Sequence, residues 1–166
     1  RYGGEDAMGE RCAVIVNPAS ANGATERRWS QIAHRLRSRL ADFDVFRTNA
    51  PGHASQLVRN GLRQGIRHFV SVGGDGTHNE VVNGCFESGT VAADDILLSI
   101  LPTGTGGDLR RTLGLPNSVL DAIEFIGQNP KKIDIGQVCS TSPKRDVRYS
   151  HFVNISSFGV SGLVVS

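Results

Sequence analysis

Residues 70–84 read VSVGGDGTHNEVVNG, and the fold turns on what the chain does after the aspartate. An Asp-Gly pair between apolar runs is a strong hairpin signal. A returning strand would alternate apolar and polar positions, whereas Val81, Val82, Cys85 and Phe86 recur at helical spacing. Gly73 to Thr77 therefore joins a strand ending near Val72 to a helix beginning near His78. Glycine at such a joint allows backbone angles closed to other residues and lets a phosphate reach main-chain N–H groups. The helix adds unpaired donors and the positive end of its dipole. Asp75 would repel a bare phosphate. It suits a phosphate carried with Mg²⁺, or a hydrogen bond to a ribose or a loop amide; the plainer alternative is that it caps its own helix.

Working outward, apolar runs with β-branched residues occur at Ala13 to Val16, Val45 to Phe46, Phe69 to Val72 and Ile96 to Leu101, each followed by Gly, Pro, Asn or Thr. Between them, Trp29, Ile32, Ala33, Leu36 and Leu40 form one helical stripe, and Ala54, Leu57, Val58 and Leu62 form another. Strand alternating with helix predicts a Rossmann-like α/β fold, a mostly parallel sheet with flanking helices. Ligands of such sheets sit beyond the carboxyl ends of the strands. That rule gathers NPASANG (17–23), TNAPGH (48–53), GGDGTHNE (73–80) and PTGTGGD (102–108) on one edge. In the last of these, Asp108 is read as the cap of a helix starting at Leu109, and Arg110 and Arg111 supply positive charge. A further helix is read at Val119 to Ile126. After Pro130 the texture changes: KKIDIGQV and YSHFVNISSFGV read as short strands, and the polar CSTSPKRD between them as a hairpin connection.

The chain divides on this reading into a tail (1–11, partly foreign if Met8 is the native start), an α/β domain (12–130) and the first strands of a truncated β-rich domain (131–166). At 166 residues it is long enough for one ordinary domain and short for two. Apolar residues at 39% and charged residues at 20% are the balance of a globular protein, not a disordered one. No apolar run approaches the roughly 20 residues of a spanning helix, and the start lacks a signal peptide, so a cytoplasmic location is expected. A net charge of +2 is too weak to argue for nucleic acid. Cys12, Cys85 and Cys139 are odd in number and far apart, which points to buried, reduced thiols. The scattered histidines place no metal on protein nitrogen or sulfur. Neither G-x-x-x-x-G-K-[ST] nor G-x-G-x-x-G after the first strand is present, which argues against P-loop NTPases and common dehydrogenases. Arg27, Arg28, Arg35, Arg37 and Arg39 surround the first helix as a solvated face, with contact to anionic lipid as the alternative.

These motifs together resemble the catalytic domain of diacylglycerol kinases and their relatives, the bacterial lipid kinases, sphingosine kinases and ceramide kinases. The resemblance rests on NPASANG (17–23), T-x-x-P-G-H-A (48–54), GGDGTHNEVVNG (73–84), LPTGTGGDLRRTLGLP (101–116), IDIG (133–136) and FVNISSFGVSG (152–162). It implies that residues 12–130 are an ATP-binding domain followed by a larger β-rich domain, with nucleotide and acceptor in the cleft between them. It assigns nucleotide binding to Asn17, Pro18, Ala19, Ser20, Ala21, Thr48, Gly73, Gly74, Asp75, Gly76, Thr77, Asn79, Glu80 and Thr105. Gly73 to Thr77 would hold the phosphates, and Asp75 would be the residue whose loss most damages catalysis. The implied reaction transfers the γ-phosphoryl group of ATP, with Mg²⁺, to a lipid hydroxyl, and the implied location is cytoplasmic or peripheral at the inner membrane surface.

The general base and a structural Mg²⁺ site are expected beyond Ser166, so residues 1–166 alone are expected to bind nucleotide weakly and not to turn over. The sequence departs from the family where Gly107 replaces a frequent Asn, and where Leu109 and Arg110 replace Phe-Ala. Two alternatives stand beside this reading. One is a kinase for NAD or another small molecule, although Asn79 and Glu80 follow the glycine loop more directly than in NAD kinases. The other is a non-catalytic nucleotide-binding or regulatory protein.

Overall fold

The computed structural model describes residues 11–93, 95–104, 107–142 and 146–153. In chain order the elements are β1 (Cys12–Val16), α1 (Ala24–Arg37), β2 (Phe43–Arg47), α2 (His53–Arg63), β3 (His68–Gly73), α3 (Asp75–Gly84), β4 (Phe86–Glu87), β5 (Thr90–Val91), β6 (Leu97–Pro102), α4 (Asp108–Leu113), α5 (Val119–Ile123), β7 (Gly136–Thr141) and β8 (Val147–Phe152). Strands β2, β1, β3 and β6 lie in that order in one sheet, all parallel.

The sheet follows from composition. β1 (CAVIV) and β3 (HFVSVG) are buried along their whole length, as central parallel strands covered on both faces must be. On one face Val14, Val16, Val70 and Val72 pack with Ile32 and Leu36 of α1 and with Val119 and Ile123 of α5. On the other, Ala13, Ile15 and Phe69 pack with Ala54 and Val58 of α2, with Val81 of α3 and with Cys85, its C-cap. Each such Val, Ile, Leu or Phe contributes about 1.5–3 kcal/mol relative to leaving it exposed. The helical stripes read from the sequence are thus the faces that cover the sheet.

The structure corrects several expectations. α3 starts at Asp75, not near His78, so the aspartate belongs to its first turn. Phe86 is not on the α3 stripe; the chain leaves the helix at Cys85 and turns through Ser88 and Gly89, both at positive φ, into the β4–β5 hairpin. Leu40 lies beyond the end of α1 and folds back onto the first core. α5 stops at Ile123. Asp108 is the first residue of α4, whose N-cap is Gly107. Cys12 and Cys85 are buried, and burial pushes each thiol up to about 12, with the Asp44 charge adding to the effect at Cys12; Cys139, also expected to be buried, is exposed.

β7 and β8 form an antiparallel hairpin. β7 runs through Cys139–Thr141, into the polar stretch read as connection, and the turn is closed by the Ser142 N–H donating to the Asp146 carbonyl at 2.9 Å. The hairpin is fastened to α3 by one side chain: Asn83 Nδ2 donates to the His151 carbonyl and Asn83 Oδ1 accepts from the His151 N–H, both at 2.8 Å. The His151 ring stacks on Phe86 at 3.7 Å. The strand expected after Phe152, the FVNISSFGVSG motif from Asn154 onward, residues 1–10 and Thr105 lie outside the described residues. Among the described residues no helix is long and apolar enough to cross a membrane.

Candidate functional site

Parallel strands in register deliver their following loops to one edge, and a cleft of about 730 Å³ opens there. One wall is Asn17–Ala21, after β1. A second is Thr48–Pro51, after β2, and the floor is Gly74–Thr77 with Glu80, on α3. Gly104, after β6, completes it.

The floor is set by the way α3 begins. Gly74 is extended, at φ −96°, and the first intrahelical bond runs from the His78 N–H to the Gly74 carbonyl at 3.0 Å. The amides of Asp75, Gly76 and Thr77 therefore precede the helix's own ladder, at the positive end of its dipole. The β6 loop is pressed against this start. Gly73 O accepts from the N–H groups of Thr103 at 2.8 Å and Gly104 at 3.3 Å, and a Cβ built on Gly104 would lie 2.6 Å from Gly74 Cα.

Asn17 ties the first wall to the floor. Its Nδ2 donates to Thr77 Oγ1 at 2.9 Å, and its Oδ1 accepts from the Ala19 N–H at 3.0 Å. The loop then turns through Ala21, Asn22 and Gly23, all at positive φ, to start α1. The two residues before that glycine hold a conformation that costs ordinary side chains energy.

Two carboxylates line the cleft, and both are engaged with main-chain amides. Glu80 Oε1 accepts from the Gly52 N–H at 2.8 Å and Oε2 from the Ala54 N–H at 3.2 Å. It thereby caps α2, whose own N-cap, Gly52, has no side chain to do so. Asp75 Oδ2 accepts from the Asp108 N–H at 3.2 Å. Asp75 thus caps the neighbouring α4 and not its own helix, which realises the loop-amide option and replaces Asp108 as that helix's cap. Among the described residues no Lys or Arg lines the cleft. The donors for an anion are therefore amides and hydroxyls.

Beneath the floor lies His78, 1% exposed, with Nδ1 2.7 Å from Ser71 Oγ and, among the described residues, no hydrogen-bond partner at Nε2. Burial lowers its pKa to about 4 against the opposing influence of Asp75 and the Gly73 backbone, so it is a neutral spacer.

Of the residues singled out from the sequence, Asn17, Pro18, Ala19, Ser20, Ala21, Thr48, Gly74, Asp75, Gly76, Thr77 and Glu80 line the one cleft. Gly73 stands one step back as the last residue of β3. Asn79 is not among the lining residues; its carbonyl accepts from Asn83 Nδ2 at 2.8 Å. Sequence reasoning missed Asn49, Ala50 and Pro51 as individual residues, and had Gly104 only as part of the second glycine cluster, PTGTGGD. Their loops had been placed on the correct edge, so the strand-end rule alone could have found them.

Residues 11–138 match the model of the diacylglycerol kinase catalytic domain. A diacylglycerol kinase of Staphylococcus saprophyticus is 30% identical over 153 residues, 92% of this chain and 46% of that protein. One of Staphylococcus haemolyticus is 30% identical over 151 residues, 90% of this chain and 42% of that protein. The crystal structure of a diacylglycerol kinase from Bacillus anthracis superposes with a TM-score of 0.62 at 25% identity, covering 86% of this chain and 48% of that one. The chain spans about half the length of the curated relatives it matches.

Proposed function

The chain belongs to the diacylglycerol kinase catalytic domain family, and on that premise we propose that its cleft binds ATP for transfer of the γ-phosphoryl group to a lipid hydroxyl. The observation that carries this reading is the start of α3, where Asp75, Gly76 and Thr77, whose amides precede the helix's own ladder, line a cleft that has no cationic side chain among the described residues. A polyphosphate fits those donors. The carboxylate charge beside them is compatible with it only when a divalent cation lies between.

Mg²⁺, when present, supplies charge neutralisation across the phosphates. Among the described residues no group of three or more His, Cys, Asp and Glu could hold a metal ion. The ion would accordingly be held mostly by phosphate oxygens and water, with Asp75 as the protein carboxylate. The residues of this chain position the nucleotide: the α3 amides take phosphate oxygens, Asn17 and Thr77 hold the first wall to the floor, and Glu80 fixes the Thr48–Pro51 wall through α2. Phosphoryl transfer needs little more from a protein than such placement, electrostatic stabilisation and a base. The base for the acceptor hydroxyl belongs, on this reading, to the β-rich part of the whole protein. So does the choice of lipid, which the protein would meet at the cytoplasmic face of a bilayer.

Titration with ATP, with and without Mg²⁺, tests the reading. Asp75→Asn keeps an oxygen for the Asp108 N–H while removing the charge, and it should weaken Mg·ATP about tenfold with α4 still capped. A wild-type chain that binds no Mg·ATP overturns the reading.

A further inference from the structure

Three hydroxyl groups meet at the edge of the cleft. Ser20 Oγ lies 2.6 Å from Thr25 Oγ1 and 3.0 Å from Thr103 Oγ1, and Thr25 Oγ1 donates to Thr103 Oγ1 at 2.7 Å. Only Ser20 lines the cleft; Thr25, in the first turn of α1, is 1% exposed, and Thr103 follows β6.

Each hydroxyl has one proton to give and two lone pairs. Ser20 gives its proton to the Asn17 carbonyl at 2.8 Å. Thr25 gives its own to Thr103, and Thr103 is left to give to Ser20. The Ser20–Thr25 edge then has no proton of its own. A second arrangement satisfies the same count. Ser20 turns its O–H from the Asn17 carbonyl to an acceptor in the cleft, both threonines donate to Ser20, and the edge without a proton becomes Thr25–Thr103. The Asn17 carbonyl is not orphaned by the turn, because it also accepts from the Ser20 N–H at 3.3 Å. In this second arrangement Ser20 accepts two hydrogen bonds while donating one, and such chains polarise the final donor toward an anion.

We propose that Thr25 and Thr103 are positioning residues for the nucleotide, holding Ser20 at the cleft wall and strengthening its donation to a phosphate oxygen. The proposal rests on the nucleotide reading of the cleft. Neither threonine touches the ligand. Their effect passes through Ser20, and that separates this role from ordinary packing.

The test is a mutant cycle read by calorimetric titration of the chain with Mg·ATP, with melting temperature measured alongside. Thr25→Val and Thr103→Val remove a hydroxyl at nearly constant shape, and each is made in the wild-type and Ser20→Ala backgrounds. With Ser20 present, each valine should weaken Mg·ATP about five- to tenfold; without Ser20, less than about twofold; Thr25→Ser and Thr103→Ser should stay within about twofold of wild type. Equal weakening in both backgrounds, or none with Ser20 present, overturns the proposal and leaves the nucleotide reading standing. A folded wild type that binds no Mg·ATP removes that reading, and this proposal with it. Should a valine variant fail to fold, Thr103→Ala at the half-buried corner of the triangle carries the same cycle.

Discussion

Two glycine-rich stretches of identical composition, GGDGT at 73–77 and GTGGD at 104–108, follow neighbouring strands, and Gly104 of the second rests on Gly74 of the first. They are built differently. At the first, an extended glycine leads straight into α3, a helix of 10 residues whose first three N–H groups precede its own hydrogen-bond ladder. At the second, Gly107 enters α4 in the left-handed region at φ 69°, the helix has 6 residues, and its first N–H is already taken by Asp75. Glycine content therefore does not make an anion site. What decides is whether the helix that follows has spent its donors, and here the first turn offers amides while the second braces the first.

The largest expected effect comes from acid, because two buried histidines are held neutral, His78 beneath the first turn and His68 at the far end of β3. Burial lowers His78 and His68 to about 4, from 6.5. Below pH 6.5 the unfolded chain takes up protons that the folded chain refuses until about pH 4. Stability is thus complete above pH 6.5 and drains as pH falls toward 4. On the order of 3 kcal/mol per histidine is at stake across that window. Thermal unfolding measured between those limits should show a steep fall that His78→Gln makes shallower. A flat profile would mean that the two histidines are not held neutral in the fold.

Next in size is the contact between the turns. A Cβ on Gly104 would sit 2.6 Å from Gly74 Cα, backbone that cannot swing aside, whereas a Cβ on Gly74 would meet Gly104 Cα at an ordinary 3.5 Å. Gly104→Ala should cost about 1–3 kcal/mol by forcing the loops apart, and Gly74→Ala well under about 1 kcal/mol. Equal costs from chemical denaturation would show that the second turn does not press on the first. A smaller effect, about 1 kcal/mol, is expected for Asp75→Ala, which uncaps α4, with Asp75→Asn milder because its oxygen still accepts.

The sheet was legible because its signal is carried by strands buried throughout, such as CAVIV and FVSV, and by helices with one apolar stripe each. Burial on both faces keeps such runs mostly apolar, and the one polar break in FVSV, Ser71, is buried against His78. The cleft was legible as an edge through strand polarity, and as residues through the family's motifs. What escaped was decided between segments distant in sequence. Nothing in VSVGGDGTHNEVVNG says that Asp75 will cap a helix 33 residues on, or that Glu80 will cap α2 across the cleft. The boundary at Asp75 escaped for the same reason: Gly76 is a poor helix former, and tertiary contacts at Thr77 and Asp108 hold it in the first turn. The β7–β8 hairpin was the hardest to bound, because its exposed polar strand, ending in Cys139, Ser140 and Thr141, has the composition of a loop.

The smallest effect has the sharpest consequence, because it separates fold from function at one atom. Gly76 lies within α3, and a Cβ added there meets nothing within 4 Å. By helix propensity alone, Gly76→Ala should stabilise the chain by about 0.5–1 kcal/mol. Yet the space that the new methyl would enter is the cleft floor, over the amides assigned to phosphate. A phosphate seated on those amides needs that space, so the same substitution should raise the melting temperature and weaken Mg·ATP. The two readouts move in opposite directions only if glycine is kept at position 76 for the ligand and against the helix. Higher stability with unchanged affinity would put the phosphates elsewhere on the edge, and the distinction between the open turn and the braced one would then have no bearing on binding.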